Sequence, residues 1–451
     1  MICRLDRSPR VQYIPAGMTT SSGPILSLRL AHDRIDDDAL MVCSRLQEAG
    51  HMTYLVGGCV RDILLGRTPK DFDIGTLATP NQVRRLFRNS RVIGRRFRLV
   101  HVVFGSKILE VATFRGGTED GTDPDAEPGD RLIVRANNFG TPEEDAVSRD
   151  FTINGLFYDP VKGQVIDFVS GHEDLEARLI RTVGRPSVRF EEDPVRILRA
   201  VKFSARLGFS IESETWEAMG DVADEIRRCP VPRVTEELYR LAESGHCAAA
   251  VSIMAKSGVL PTVLPEVAAY HAAQPEAYER YLEFFDRVIR AHRGCSREFV
   301  LSGLYYPLAL EQVELAGIET GPGWAKVVEA WFEPIGIRMH LPVKHRIRFR
   351  SLVEFMGRVL GEPGQRRRNR LSVPQQRLLP QALTLMRLHH RVHGGLAAAY
   401  EYWRTLASAH DVTWVPVSQP RFADAEPPPE RDRRSGRRRR RRRSRAPSQD
   451  G

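Results

Sequence analysis

With 451 residues, 42% of them hydrophobic, the chain is long enough for about two to four domains and ordinary for a protein that folds in water. Six cysteines with no CxxC spacing argue against a zinc site or disulfide framework and for a reducing cytoplasm. Neither a secretory signal nor an apolar run long enough to span a bilayer is visible. The net charge of +10 is unevenly placed, because residues 431–451 hold eleven arginines against Asp432 and Asp450, a local charge of +9.

Residues 1–35 show little periodicity and read as a flexible leader. A helix is expected over Asp36–Ala49, closed by Gly50. Tyr54-Leu55-Val56 then runs into Gly57-Gly58, where missing side chains let backbone N–H groups approach phosphate oxygens ahead of a helix carrying Arg61. Asp71-Phe72-Asp73-Ile74 follows as a strand, and its period of two projects Asp71 and Asp73 to one face while Phe72 and Ile74 turn to the core. Two carboxylates side by side are costly unless a cation sits between them, and hard divalent ions that also hold phosphates suit that position. Alone, a DxD is usually a solvated loop and a Gly pair a turn; their ordered combination with Arg61 points to phosphoryl or nucleotidyl transfer.

Further along, Thr79-Pro80 marks an N-cap and first helical position for a helix to about Arg88. Leu99–Phe104 and Lys107–Phe114 form a hairpin about Gly105-Ser106. Within it Glu110 alternates outward and is either a third carboxylate or an ordinary exposed strand residue. Gly116 to Asp130 is a polar loop, and Phe157-Tyr158 with Val165–Val169 make a last strand pair about Pro160–Gly163. From Asp174 helical patterns dominate, broken at 184–187, 230–232 and 261–265. Asp193-Pro194 reads as an N-cap with Pro at the first helical position. On that helix Ile197, Leu198, Val201 and Ala205 form an apolar stripe, with Arg196, Arg199 and Lys202 on another face. Such a face is ordinarily solvated, yet guanidinium forks beside a carboxylate also suit a base edge and a triphosphate. Arg437 to Arg443 cannot fold alone; it is either a solubilising end or an arm for polyanions.

The order Gly57-Gly58-x-x-Arg61-Asp62, then Asp71-x-Asp73, resembles the nucleotide-binding signature of the polymerase-beta-like superfamily. More narrowly it resembles the bacterial poly(A) polymerase and CCA-adding tRNA nucleotidyltransferase family. Leu109–Arg115, Arg149-Asp150-Phe151-Thr152-Ile153-Asn154 and Glu192–Ala200 agree in the same order, and the resemblance covers about residues 50–265. It implies an α+β fold with a small mixed-sheet nucleotidyltransferase head over 36–172. A helical neck over 173–265, a helical RNA-binding body over 266–425 and a disordered Arg-rich tail over 426–451 would follow.

It also implies a site. Asp71 and Asp73 would hold two Mg²⁺ ions, and Asp150 would join them as a catalytic residue. Gly57, Gly58, Arg61 and Arg149 would bind the substrate ATP, and Asp193, Arg196 and Arg199 would recognise the nucleotide. Ser148 stands where the family commonly has a second arginine before the Arg-Asp pair. The Gly94–Val102 segment and the Arg tail lean toward template-independent addition of AMP to RNA 3′ ends by a cytoplasmic monomer working with RNA-decay machinery, the alternative being CCA addition to tRNA.

Overall fold

The structure, a computed structural model, describes residues 25–26, 30, 32–94, 99–116, 139–292, 295–318, 323–359, 373–394 and 397–409. The polar loop from 117 onward and the Arg-rich tail lie outside these residues.

The head is built on a mixed eight-stranded sheet. Its strands are β1 (Ile25–Leu26), β2 (Thr53–Val56), β3 (Asp73–Thr76), β4 (Ser90–Ile93), β5 (Leu99–Phe104), β6 (Lys107–Thr113), β7 (Leu156–Asp159) and β8 (Gln164–Asp167). In space they run β1-β8-β7-β2-β3-β6-β5-β4. Every neighbouring pair is antiparallel except β3 and β6, which lie parallel with Asp73 opposite Glu110. The end of the segment expected to be a loose leader is tied in: Ile25 pairs with Ile166, and Leu30 and Ile35 are buried.

Three helices, α1 (Asp37–Glu48), α2 (Gly58–Leu64) and α3 (Pro80–Leu86), accompany the sheet. α3 begins as its sequence requires, with Thr79 and Gln82 forming a reciprocal capping box and Pro80 in the first turn. Central β2 is buried on both faces. Leu55 joins the main core, while Tyr54 and Val56 pack with Phe114, Ala146, Phe157 and Ile166 in a smaller cluster on the opposite side.

After β6 come α4 (Pro142–Ser148), α5 (Gly171–Glu176), the short strand β9 (Leu179–Ile180), α6 (Pro186–Glu192) and α7 (Val195–Leu207). β10 (Ser210–Ile211) pairs parallel with β9, and α8 (Ser213–Asp221) and α9 (Val231–Glu243) follow. In α7 the expected apolar stripe is buried, each large residue contributing roughly 1.5–3 kcal/mol. The remaining described elements are helices: α10 (Cys247–Lys256), α11 (Leu260–Val263), α12 (Pro265–Ala273), α13 (Pro275–Ala291), α14 (Arg297–Leu315), α15 (Gly323–Arg338), α16 (Val343–Val359), α17 (Val373–His393) and α18 (Ala397–Ala409). No helix among the described residues is long and apolar enough to cross a membrane.

Candidate active site

The turn from β2 into α2 fixes one wall. Gly57 has φ 74° and ψ −124°, a backbone open to glycine but not to residues with a side chain, and a Cβ there would lie 2.5 Å from Nη1 of Arg149. Because β2 leaves the sheet at Gly57, its last residue Val56 pairs with Asp73 and nothing remains for Phe72 or Asp71 to pair with. The strand therefore begins at Asp73, and Asp71 lies ahead of it, not on a shared strand face as the alternation suggested. Both carboxylates are exposed. Although Asp73 meets solvent, enclosure by protein pushes its carboxyl pKa up. The negative charges of Glu110 and Asp71 add to that rise, with Arg149 opposing.

Asp73 and Glu110 line a cavity of about 1020 Å³ where the sheet meets α4, α7 and α9. Seven arginines and seven carboxylates line it. Arg149 reaches Asp145 at 2.8 Å, and Arg199 reaches Asp150 at 2.6 Å. Arg233 pairs with Asp193 at 2.9 Å, and Arg240 with Glu236 and Glu237 at 3.2 and 3.5 Å. Among the described residues neither Asp73 nor Glu110 forms an arginine ion pair, and Glu110 has the His101 ring nitrogen Nε2 at 3.6 Å.

Asp150 is held in place by several groups at once. Its Oδ1 accepts from the Phe151 amide at 2.9 Å and Asn154 Nδ2 at 3.0 Å, and its Oδ2 accepts from Arg199 Nε at 2.6 Å. Burial alone would raise its pKa, but Arg199 and these hydrogen bonds outweigh burial and hold it below the usual carboxylate range. Arg199 continues to Glu237 at 3.8 Å, which also pairs with Lys202 at 2.5 Å. The backbone before Asp150 is gripped as well. Arg189 of α6 donates through Nη2 to the carbonyls of Ser148 at 2.9 Å and Arg149 at 2.6 Å. A cation suits the C-terminal end of α4, where carbonyls lack helical partners.

Arg61 is buried, donating to Asp62 at 2.6 and 2.8 Å and to Asn154 Oδ1, with its guanidinium 5.1 Å from the Phe203 ring centre. Arg196 donates to the Arg189 carbonyl at 2.8 Å and to Glu192 at 3.1 Å. Asp193 ends α6, and α7 starts at Val195, so Asp193 does not cap α7 through its side chain as expected. The backbone breaks there at φ −150° and ψ 88°, and the carboxylate turns to Arg233.

Gly58, Arg61, Asp73, Arg149, Asp150, Asp193, Arg196 and Arg199 thus face one cavity, while Gly57 and Asp71 stand outside its lining. The sequence reading did not single out Arg115, Asn154, Arg233, Glu236, Glu237 and Arg240, which also line it. Arg115 and Asn154 stand inside blocks that carried the resemblance. The four α9 residues carry no such signal, since alternating charges on an amphipathic helix look like an ordinary solvated face.

Mg²⁺ fits this chemistry. Its usual protein ligands are one or two carboxylates, completed by water and substrate phosphates. The crowded Asp73, Glu110 and Asp71 offer only hard oxygens with no lysine or arginine ion-paired between them. Among the described residues no group of three or more Asp, Glu, His or Cys side chains is arranged to hold a metal ion, so water and substrate phosphates would have to complete the coordination.

A parallel strand pair presenting carboxylates to an arginine-lined cavity, with a helical layer behind it, defines a nucleotidyltransferase head. Residues 53–181 match the Poly A polymerase head domain, and residues 208–270 match the "Probable RNA and SrmB- binding site of polymerase A". The chain is 40% identical over 296 residues to Poly(A) polymerase I of Salmonella typhi (64% of this chain, 63% of that protein). It is 37% identical over 243 residues to the CCA-adding enzyme of Lactobacillus helveticus (54% and 58%). The crystal structure of the Bacillus stearothermophilus CCA-adding enzyme in complex with CTP superposes with a TM-score of 0.57 at 26% identity, covering 82% of each chain. Over the two matched domains the chain is similar to the poly(A) polymerase and CCA-adding nucleotidyltransferase family. It spans about 63% of the length of the Salmonella relative.

Proposed function

We propose that the protein is a template-independent adenylyltransferase, transferring AMP from ATP to RNA 3′ ends. The observation that carries this reading is Asp73 level with Glu110, neither held by an arginine ion pair among the described residues, in a cavity lined by seven arginines whose other carboxylates are mostly paired to them. Asp71 and Asp73 would hold Mg²⁺, with water and substrate phosphates completing its coordination; bound there, the metal would supply charge stabilisation for a displacement at phosphorus. Gly58 keeps the backbone at the start of α2 open to the triphosphate, and Arg149 and Arg199 set its electrostatic surroundings. Asp150 is kept ionised by Arg199, and Asp193 and Arg196 select the base. No template is needed, because protein groups occupy the position where a template base would pair.

We assign the helical body to the RNA upstream of its 3′ end. Between α13, α17 and α18 lies a recess of about 390 Å³ lined by Arg287, Arg387 and Arg391 and, among the described residues, by no carboxylate. The Phe284 ring sits there with the Arg287 and Arg391 guanidiniums 4.8 and 5.2 Å from its centre. Cations around an aromatic face suit single-stranded nucleic acid, which needs phosphate neutralisation and a stacking surface.

The second reading is CCA addition, favoured by the likeness to the CTP-bound structure. Adenylation is preferred because the match to Poly(A) polymerase I is longer, 296 residues against 243 and 211 for two CCA-adding enzymes, although identity is similar at 40%, 37% and 42%. Supplying each nucleotide separately, with a generic RNA or a tRNA lacking its terminal CCA, separates the two. Long AMP tracts on both RNAs support adenylation, and growth restricted to C, C and A on the tRNA overturns it.

A further inference from the structure

Asp193 presents two different carboxylate oxygens. Oδ2 accepts a charge-assisted hydrogen bond from Nη2 of Arg233 at 2.9 Å, whereas Oδ1 is buried and has no hydrogen-bond partner. Both residues line the cavity. An unpartnered buried carboxylate oxygen is costly unless a ligand donates to it. Arg196 stands nearby with only Nη1 committed in its hydrogen bonds to the Arg189 carbonyl and Glu192, and a guanidinium has five N–H groups to give.

We infer that Arg233 is a positioning residue for nucleotide choice, acting through Asp193 to favour adenine over cytosine. The inference rests on the reading that Asp193 and Arg196 meet the base. One acceptor beside one donor sorts the four bases into two pairs. Adenine and cytosine each present an amine donor next to a ring-nitrogen acceptor and satisfy the pair. Guanine and uracil present a carbonyl next to an N–H and leave both protein groups unsatisfied, which is the strong kind of rejection.

That code cannot tell adenine from cytosine. What differs is reach, since the purine edge stands farther from its ribose by the width of the imidazole ring. With phosphates held in the head, the choice depends on how far away Oδ1 is kept.

The backbone around Asp193 does not fix that distance by itself, because residue 193 sits at the break between α6 and α7. The anchor comes from α9, forty residues later in sequence. A single-point salt bridge with Arg233 half exposed adds little stability, under about 1 kcal/mol, so its consequence is positional. Without it the carboxylate can swing toward the shorter pyrimidine.

The test uses full-length protein, Mg²⁺ and an RNA oligonucleotide, measuring kcat and KM for all four nucleotides in wild type, Arg233→Ala, Arg233→Lys and Asp193→Asn. Arg233→Ala should melt within a degree or two of wild type and lose roughly tenfold in its ATP-over-CTP preference, more through KM than through kcat. GTP and UTP should stay excluded, and Arg233→Lys should recover part of the preference. An unchanged ATP-to-CTP ratio in Arg233→Ala overturns the inference. Equal entry of GTP and UTP in that variant does so too, because the acceptor would then be lost and not merely displaced. If Asp193→Asn still rejects GTP and UTP as wild type does, the base-reading role of Asp193 is itself wrong, a failure distinct from that of Arg233.

Discussion

Gly57→Ala tests whether the Gly pair is a structural necessity or only a turn. The substitution meets two separate obstacles. At φ 74° and ψ −124° a residue with a Cβ is strained by about 1–3 kcal/mol. The new methyl would also sit 2.5 Å from Nη1 of Arg149, which donates to the Asn154 carbonyl at 3.2 Å. Moving that guanidinium loses the hydrogen bond, roughly 1 kcal/mol or somewhat more because the donor is charged. The total is about 2–4 kcal/mol, and only the second part depends on Arg149. In an Arg149→Ala background Gly57→Ala should therefore cost only the backbone strain, giving a coupling of about 1 kcal/mol in a double-mutant cycle. Urea unfolding of the four proteins, checked for equal m-values, measures it. A single-mutant cost below about 0.5 kcal/mol, or additive effects, would refute the argument.

Asp73→Asn should abolish nucleotide incorporation yet raise the melting temperature at pH 7. The folded carboxyl titrates above its unfolded value, so the folded state binds the proton more tightly and ionisation costs stability as pH rises through that pKa. The gain should vanish below about pH 4, where Asp73 is protonated in both states; thermal melts across pH decide it. Arg189→Ala should release the Ser148 and Arg149 carbonyls and lower kcat by tenfold or more with RNA affinity unchanged, and equal kcat values would remove Arg189 from the support of Asp150. Deleting residues 431–451 should flatten the salt dependence of RNA binding, since each single-strand phosphate contact contributes about −0.7 to the slope of log K against log salt. Identical slopes in the truncated and full-length proteins would mean that the eleven arginines do not grip RNA.

The head was legible from sequence because its signals are local. The Thr79-Pro80 cap, the hairpin about Gly105-Ser106, the Phe157 to Val169 strand pair and the α7 stripe are each dictated by residues a few positions apart, and each is present. Where the sequence misled, pairing partners decided the outcome. Asp71 falls outside β3 because its opposite neighbour, Gly58, has already entered a helix, and alternation within one strand cannot reveal that. The two readings of Glu110 could not be weighed for the same reason, since its place opposite Asp73 comes from the register between strands. The α9 side of the cavity was illegible because Arg233 and Glu237 acquire meaning only through contacts with residues 193 and 199.

The parallel pairing of β3 with β6 also bears on how the head is assembled. Antiparallel neighbours can form from adjacent chain through a tight turn, but a parallel pair must wait for a crossover. Here the crossover comprises α3, β4 and β5, so Asp73 and Glu110 meet only after closure of a loop of thirty-seven residues. Such closure is entropically late compared with a hairpin. A chain that has formed every local hairpin still holds its two carboxylates apart, and during refolding the recovery of incorporation should trail the recovery of strand and helix content. A partly folded head would therefore carry no active cation site, and polymerising activity would report completion of the fold.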